Sequence, residues 1–336
     1  MWAMLRILLV KTSSLGDVIH NLPVVNDILQ QHPNAQIDWV VEQSFADIPR
    51  LHPHVNQVVT VDFRYWRKQL FNKKTWQEIS KTKQTIQQNQ YDAIIDTQGL
   101  LKSALAMRYA HGTKHGYDKH SIREPLASCF YDKTYAISYQ QHAVTRNRAL
   151  CALSLGYEIP TDAPDYGITS KIGTPVDRMD IGSQSIDLER DLNQDYIIAL
   201  HGTSRDSKLW PVEHWVELGK QLALQNLNMM LPWASDAEFL RAGEIASQLS
   251  NATVLPKLSI AQIAAVIANA KAAVGVDTGL SHLAAALNIP TIAIYTDTNP
   301  ALTGVVAGKF APAINLGGIH QTPTAEDNLS ALKPHI

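Results

Sequence analysis

Asp17 belongs to Lys-Thr-Ser-Ser-Leu-Gly-Asp-Val (11–18), which follows the apolar run 5–10. In a parallel α/β sheet the loop leaving a strand's C-terminal end opens into the ligand crevice, so a carboxylate there can act as a general base. The same residue could equally cap a helix continuing through Val18, Val25 and Ile28, since Asp is a favoured N-cap. A second chemistry-bearing stretch is Gly-Thr-Ser-Arg-Asp-Ser-Lys-Leu-Trp-Pro (202–211). Its N–H groups, the Thr203 and Ser204 hydroxyls and Lys208 could bind phosphate oxygens, with a helix expected to start at Pro211. A turn with incidental charges is the plain alternative. In the third stretch, Val-Gly-Val-Asp-Thr-Gly-Leu-Ser-His (274–282), an apolar strand runs into an Ala-rich helix. The N–H groups of Thr278 and Gly279 would then lie at a positive helix end, which suits a diphosphate. Asp277 cannot bind an anion directly, so it binds sugar hydroxyls, orients the turn or caps the helix, and His282 could be a packed ring. Neither the ATPase phosphate loop nor the Gly-x-Gly-x-x-Gly dinucleotide fingerprint occurs.

These loops need strands beneath them. Apolar runs at 5–10, 36–41, 57–60 and 93–96, and again at 196–201, 227–231, 273–276 and 291–295, alternate with amphipathic stretches. That alternation predicts parallel sheets covered by helices on both faces. A chain of 336 residues exceeds one typical domain. The stretch 166–194, rich in Pro, Gly, Ser and Asp, reads as an interdomain region. The expected organisation is two Rossmann-like, doubly wound domains (1–165 and 195–320) facing a central cleft, then a C-terminal helix in 321–336 that could pack back on the first domain.

Composition narrows the function classes. Residues 1–160 hold 18 Lys+Arg against 13 Asp+Glu, while 161–336 hold 11 against 18. Much of the excess lies in Arg64, Arg67, Lys68, Lys73, Lys74, Lys81 and Lys83, interleaved with Phe63, Tyr65, Trp66, Phe71 and Trp76. Cations with aromatics suit an anionic membrane surface or a phosphorylated acceptor, and a solvated helix face is the alternative. Nucleic acid is not expected, because the whole chain is slightly acidic and carries no recognisable nucleic-acid module. No apolar run reaches the roughly 18–20 residues of a membrane span, and the first is too short for a signal peptide, so a cytosolic protein is expected. Cys129 and Cys151 lack metal or redox spacing and read as buried free thiols. No metal site is expected.

Four blocks carry a resemblance: 11–20, Asp-Thr-Gln-Gly-Leu-Leu-Lys-Ser (96–103), Arg-Glu-Pro-Leu-Ala-Ser (123–128) and 276–283. In order and spacing, across nearly the whole chain, they resemble the bacterial ADP-heptose:lipopolysaccharide heptosyltransferases of glycosyltransferase family 9. The Lys-Thr-Ser-Ser lead resembles type I rather than type II. The resemblance implies a GT-B fold and inverting transfer of L-glycero-D-manno-heptose from ADP-heptose to the Kdo of Kdo–lipid A, with ADP-heptose a co-substrate and no cofactor. It implies Asp17 as the base, and Thr203, Ser204, Lys208, Thr278 and Gly279 as partners of the leaving diphosphate. It puts Glu238 near the ribose, Asp277 near the heptose and His282 near the phosphates. The acceptor falls to Arg64, Arg67, Lys68, Lys102, Arg123, His142 and Arg146, although Lys102 and His142 also admit purely structural roles.

The chain departs from that pattern in two places. Tyr65 replaces a second Arg beside Arg64, and Tyr-Thr-Asp-Thr-Asn-Pro (295–300) lacks the usual Gly-Pro. These leave open a different nucleotide-sugar donor; a nucleotide-sugar epimerase on the same scaffold and a non-catalytic lipopolysaccharide-binding protein are the alternatives of other classes. Met4 is the expected initiator, ahead of which Met-Trp-Ala is additional. A monomer on the cytoplasmic face of the inner membrane, attached peripherally, completes the expectation.

Overall fold

The computed structural model describes residues 4–168 and 194–336. The opening Met-Trp-Ala and most of the expected interdomain stretch lie outside the described residues. The chain divides into two compact units, Met1–Gly167 and Ile168–Ile336, so the first ends two residues beyond the expected boundary.

The first unit holds β1 (Arg6–Val10), β2 (Gln36–Glu42), β3 (Val55–Val61), β4 (Gln90–Asp96), β5 (His111–Tyr117) and β6 (Lys133–Tyr135). They pair in parallel in the order β3-β2-β1-β4-β5-β6. β1 is central, and Ile7, Leu8, Leu9 and Val10 are fully buried, as expected of a strand covered on both faces. The helices are α1 (Leu15–Ile19), α2 (Pro23–Gln31), α3 (Asp47–Leu51), α4 (Phe63–Lys68), α5 (Lys73–Gln87), α6 (Leu101–Met107) and α7 (Ala143–Leu155). The single helix expected through Val18, Val25 and Ile28 is two, because Pro23 occupies the first position of α2 and starts a new helix there. Asp27 on α2 takes a two-pronged ion pair from Arg148 on α7, at 2.7 and 2.9 Å, with both side chains buried. Removing one partner of such a pair costs about 3–5 kcal/mol, because the other charge stays buried.

The second unit repeats the plan. Its strands β7 (Tyr196–Leu200), β8 (Asn228–Leu231), β9 (Ala252–Val254), β10 (Ala272–Val276), β11 (Thr291–Tyr295) and β12 (Ala313–Gly317) run in the order β12-β11-β10-β7-β8-β9. Read from its own first strand outward, each sheet has the order 3-2-1-4-5-6, the doubly wound arrangement whose switch point lies between strands 1 and 4. The helices are α8 (Val212–Ala223), α9 (Asp236–Ala246), α10 (Ile260–Ala268), α11 (Gly279–Ala286), α12 (Pro300–Thr303) and α13 (Ala325–Leu332). Trp215, Leu218 and Leu222 of α8 share a core with Met229, Val274, Ile292 and Ile294.

Ala325, Leu329 and Leu332 of α13 are buried in that same core, and the Trp210 indole donates to the Pro323 carbonyl at 2.7 Å. The apolar stripe of the C-terminal helix is thus covered within the core of the second unit. Both cysteines are free, but only Cys151 is buried; Cys129 is exposed, contrary to expectation. Among the described residues no helix is long and apolar enough to cross a membrane, and no group of three or more His, Cys, Asp or Glu could hold a metal ion.

Candidate active site

In the first unit the candidate residues gather at the β1/β4 switch point. Ser14 precedes α1 and Asp17 is its third residue, so Asp17 is not an N-cap but the reciprocal partner of one. Its Oδ2 accepts the Ser14 N–H at 2.8 Å and the Ser14 hydroxyl at 3.0 Å. Among the described residues its Oδ1 accepts no hydrogen bond. Anchoring one oxygen fixes the carboxylate while the other can take a proton. Capping and base chemistry are compatible in this geometry.

The loop carrying Ser14 is tied to the loop after β4. Gln98 Oε1 accepts the N–H groups of Thr12 and Ser13, both at 2.9 Å, and Lys102 Nζ donates to the Ser13 hydroxyl at 2.7 Å. Beneath them the fully buried Asp96 accepts from the N–H groups of Gln98 and Gly99 and from the Ser103 and Tyr131 hydroxyls. The turn requires Gly99, whose φ of +68° disfavours other residues and whose missing Cβ would sit 2.9 Å from Ile122. Burial pushes the Lys102 ammonium below its ordinary pKa, against the attraction of Glu42. Lys11 is buried, donates to the Thr97 carbonyl at 2.7 Å, and is pushed down by burial despite the attraction of Asp17.

The other expected acceptor residues divide. Arg64, Arg67 and Lys68 are exposed on α4, and Arg64 and Arg67 line one cavity together with Lys102. Arg123 is exposed beside Glu124, whose carboxylate accepts the Leu101 N–H opening α6 at 2.7 Å. His142 caps α7, its Nδ1 accepting the Val144 N–H, and its ring lies edge-on to His20 at 5.4 Å. The Arg146 guanidinium stacks on Tyr117 and Tyr139, 4.6 and 4.4 Å from their centroids, and donates to the Ser121 carbonyl. His142 and Arg146 thus already hold structural contacts.

In the second unit the β7 and β10 loops meet. Lys208 Nζ lies 2.6 Å from Asp277 Oδ2, with both side chains largely buried. The Thr298 hydroxyl donates to the same oxygen at 2.6 Å, and Thr203 donates to the Asp277 carbonyl at 2.9 Å. Asp277 Oδ1 accepts no hydrogen bond among the described residues. Thr278 is the N-cap of α11 and Gly279 its first residue, while His282 is buried one turn on. Ser204 is exposed. Lys208 lies in a short 3₁₀ turn, Asp206–Lys208, and the helix expected from Pro211 begins at Val212 with Pro211 as its cap.

Glu238 is the third residue of α9 and, like Asp17, closes a capping box. Its Oε2 accepts from the N–H groups of Ala234 and Ser235, and its other oxygen lies against Gly202, where a Cβ would come within 2.8 Å. Below that loop His201 is fully buried, and burial, helped by Arg241, pushes its imidazolium down to about 4.

Two doubly wound sheets of this order, one beside an open carboxylate oxygen and the other beside a lysine-paired aspartate at a helix N-terminus, place the chain in the two-Rossmann-domain class of α/β proteins. A family model for glycosyltransferase family 9 (heptosyltransferase) matches residues 79–329. Lipopolysaccharide heptosyltransferase 1 of Pseudomonas aeruginosa is 46% identical over 301 residues, 89% of this chain and 81% of that protein. The Escherichia coli heptosyltransferase WaaC with ADP superposes with a TM-score of 0.88 at 42% identity, covering 99% of this chain and 100% of the other. The same enzyme with ADP-2-deoxy-2-fluoro heptose gives 0.85 at 41%, with the same coverage. The chain belongs to glycosyltransferase family 9, the heptosyltransferases.

Three participants carry no role in the sequence reading. Gln98 and Lys11 lie within the blocks that mark the family, but nothing local shows that Gln98 reaches across to β1 or that Lys11 turns inward. Thr298 sits in the altered loop after Tyr295, where only the strand order β11-β10-β7 brings its hydroxyl to Asp277.

Proposed function

We propose that the protein is a type I heptosyltransferase of lipopolysaccharide core assembly, transferring L-glycero-D-manno-heptose from ADP-heptose to the Kdo of Kdo–lipid A with inversion. The observation that carries the mechanism is the open Oδ1 of Asp17 beside an Oδ2 held by Ser14. Oδ1 takes the proton of the attacking Kdo hydroxyl. That oxygen bonds to the anomeric carbon as the bond to the β-phosphate breaks, and the electron pair leaves with ADP.

Charge gathering on the diphosphate falls to Lys208, the Thr203 and Ser204 hydroxyls, the N–H groups of Thr278 and Gly279, and His282. Lys208 reaches phosphate by leaving Asp277, and Thr298 keeps that carboxylate in place for heptose hydroxyls. Glu238 serves the ribose with its free oxygen. Leaving-group stabilisation then needs neither cofactor nor metal, and full activity in a chelator is expected. Arg64, Arg67, Lys68, Lys102 and Arg123 pair with the anionic acceptor, while His142 and Arg146 shape its surroundings through the contacts they already make.

The acceptor lies in a membrane leaflet, so the protein binds peripherally to the cytoplasmic face of the inner membrane through its basic α4–α5 region. Attachment to anionic vesicles should weaken steeply with salt. The deciding experiment measures ADP release from ADP-heptose with and without deacylated Kdo2–lipid A, for wild type and Asp17→Ala. Acceptor-dependent release that collapses in the variant supports the reading. Release from ADP-mannose but not ADP-heptose would move it to another donor, and interconversion without an acceptor would move it to an epimerase.

A further inference from the structure

Helices α4, α5 and α6 line a half-open cavity of about 700 Å3 in the first unit, within the roughly 300–1,000 Å3 typical of ligand sites. Its walls include Phe63, Trp66, Leu70, Ile79, Ile86 and Leu105. Every ionisable side chain with a full charge on its lining is a cation: Arg64, Arg67, Lys83, Lys102 and Arg108, with no carboxylate among them. Lys83 and Arg108 both rest on the Tyr109 ring, 5.1 and 5.6 Å from its centroid. Lys102 belongs at once to this cavity and to the Asp17 loop, through its bond to Ser13. Beside Leu70, Phe71 is fully exposed and Trp76 more than half exposed, with the Trp76 indole fixed to the Leu70 carbonyl at 2.7 Å.

An apolar interior within a wholly cationic set of charges matches an amphiphile with a hydrocarbon tail and an anionic head. It does not match a free sugar phosphate, which has no tail, or a neutral detergent, which has no charge. We propose that the α4–α5–α6 cavity is an acyl-chain slot that holds one hydrocarbon chain of the lipid-linked acceptor while Arg64 and Arg67 pair with the phosphate beside it. The inference rests on the acceptor reading above and extends it from the sugar to the lipid. Continuity through Lys102 runs the acceptor from Asp17 at its reacting sugar to the slot at its tail. The exposed Phe71 and Trp76 then meet the leaflet from which the chain is drawn.

Two measurements test the slot separately from the transfer reaction. The first is calorimetric titration with hexyl, octyl and decyl phosphate below their micelle concentrations, with inorganic phosphate and octyl glucoside as controls. Wild-type affinity should rise with chain length, by up to about fourfold per added methylene, until the slot is full. Ile79→Trp and Leu105→Trp, which fill the cavity from two different helices and touch none of the catalytic residues, should flatten that rise. Affinity independent of chain length, or a rise that survives in both variants, overturns the proposal.

The second compares acylated with fully deacylated Kdo2–lipid A in the transfer assay. Wild type should show the lower KM for the acylated acceptor, and the variants should lose that preference while keeping the wild-type KM for the deacylated one. Equal KM values in the wild type overturn the slot and leave the transfer reading standing. Chain-length-dependent alkyl phosphate binding without turnover of either acceptor supports the slot and removes the transfer reading.

Discussion

The two switch points share a strand order but commit their carboxylates differently. At β1/β4, Asp17 is held by neutral donors of Ser14, and the nearby cation Lys11 is turned away to the Thr97 carbonyl. At β7/β10, Asp277 is held by Lys208 itself, with Thr298 on the same oxygen. A carboxylate fixed by N–H and O–H groups keeps a lone pair for proton transfer. One already paired with an ammonium holds in place a cation that a diphosphate could claim. Under the proposed reading, one topological position, built twice, serves as proton acceptor in one unit and as anion receptor in the other through side-chain pairing alone.

The sharpest way to break that contrast is to remove the free base without the cap. Asp17→Asn keeps one acceptor oxygen for Ser14, so kcat should fall by about 10²–10⁴ while donor KM and thermal stability change little. Asp17→Ala should show the same kinetic loss plus about 1 kcal/mol of destabilisation from the lost capping contact. An active Asp17→Asn enzyme would reduce Asp17 to a cap.

Acid should separate the two units. The folded pKa of His201 lies below the ordinary 6.5, at about 4, so the folded state binds fewer protons than the unfolded state between those values. Its contribution is therefore present above pH 6.5 and is lost as pH falls towards 4, to about 3 kcal/mol. Hydrogen exchange at β7 should reveal this loss, and His201→Asn should flatten it while leaving β1 unaffected.

Lys208 tests the receptor side directly. Lys208→Met should weaken ADP binding by about 10–100-fold, the worth of a charge-assisted hydrogen bond, and should lower kcat at saturating donor as well, because the charge it answers grows as the diphosphate leaves. The smallest effect belongs to Thr298. Thr298→Val should raise donor KM by about three- to tenfold, and Thr298→Ser, which keeps the hydroxyl, should restore it. An equal loss in both variants would mean that the loop's packing matters and its hydrogen bond does not.

What could be read from the sequence follows from burial. Central strands such as Arg6–Val10 and Thr291–Tyr295 are continuous apolar runs because helices cover both faces. The strands absent from that reading are β5, β6, β9 and β12. β5 reads His-Gly-Thr-Lys-His-Gly-Tyr, with only its last three residues buried, and β6 and β9 have three residues each. Short segments at the sheet edges, and an interior strand as polar as β5, carry too little periodic signal to stand out. At the site, Asp17, Lys208 and Asp277 were legible because each follows a visible strand. Their partners were not. Gln98 to Thr12 spans 86 residues and Thr298 to Asp277 spans 21, so each contact depends on strand order, which local pattern does not encode. The break at Pro23 was written in the chain, but a continuous apolar stripe obscured it.

The ion pair between Arg148 and Asp27 has a practical corollary for cutting the protein apart. Arg148 also donates to the Asp162 carbonyl at 2.7 Å and to its carboxylate at 3.0 Å, Asn26 donates to the Asp165 carbonyl, and Tyr166 is buried. The segment after α7 is therefore masonry of the first unit. A truncation at Pro160 would strip the outer ligand from a buried guanidinium and leave a hole where Tyr166 packs, whereas one placed after Gly167 keeps the wall intact. A stand-alone first unit, for crystallisation or for screening alkyl phosphates against the proposed α4–α5–α6 slot, should be ended there.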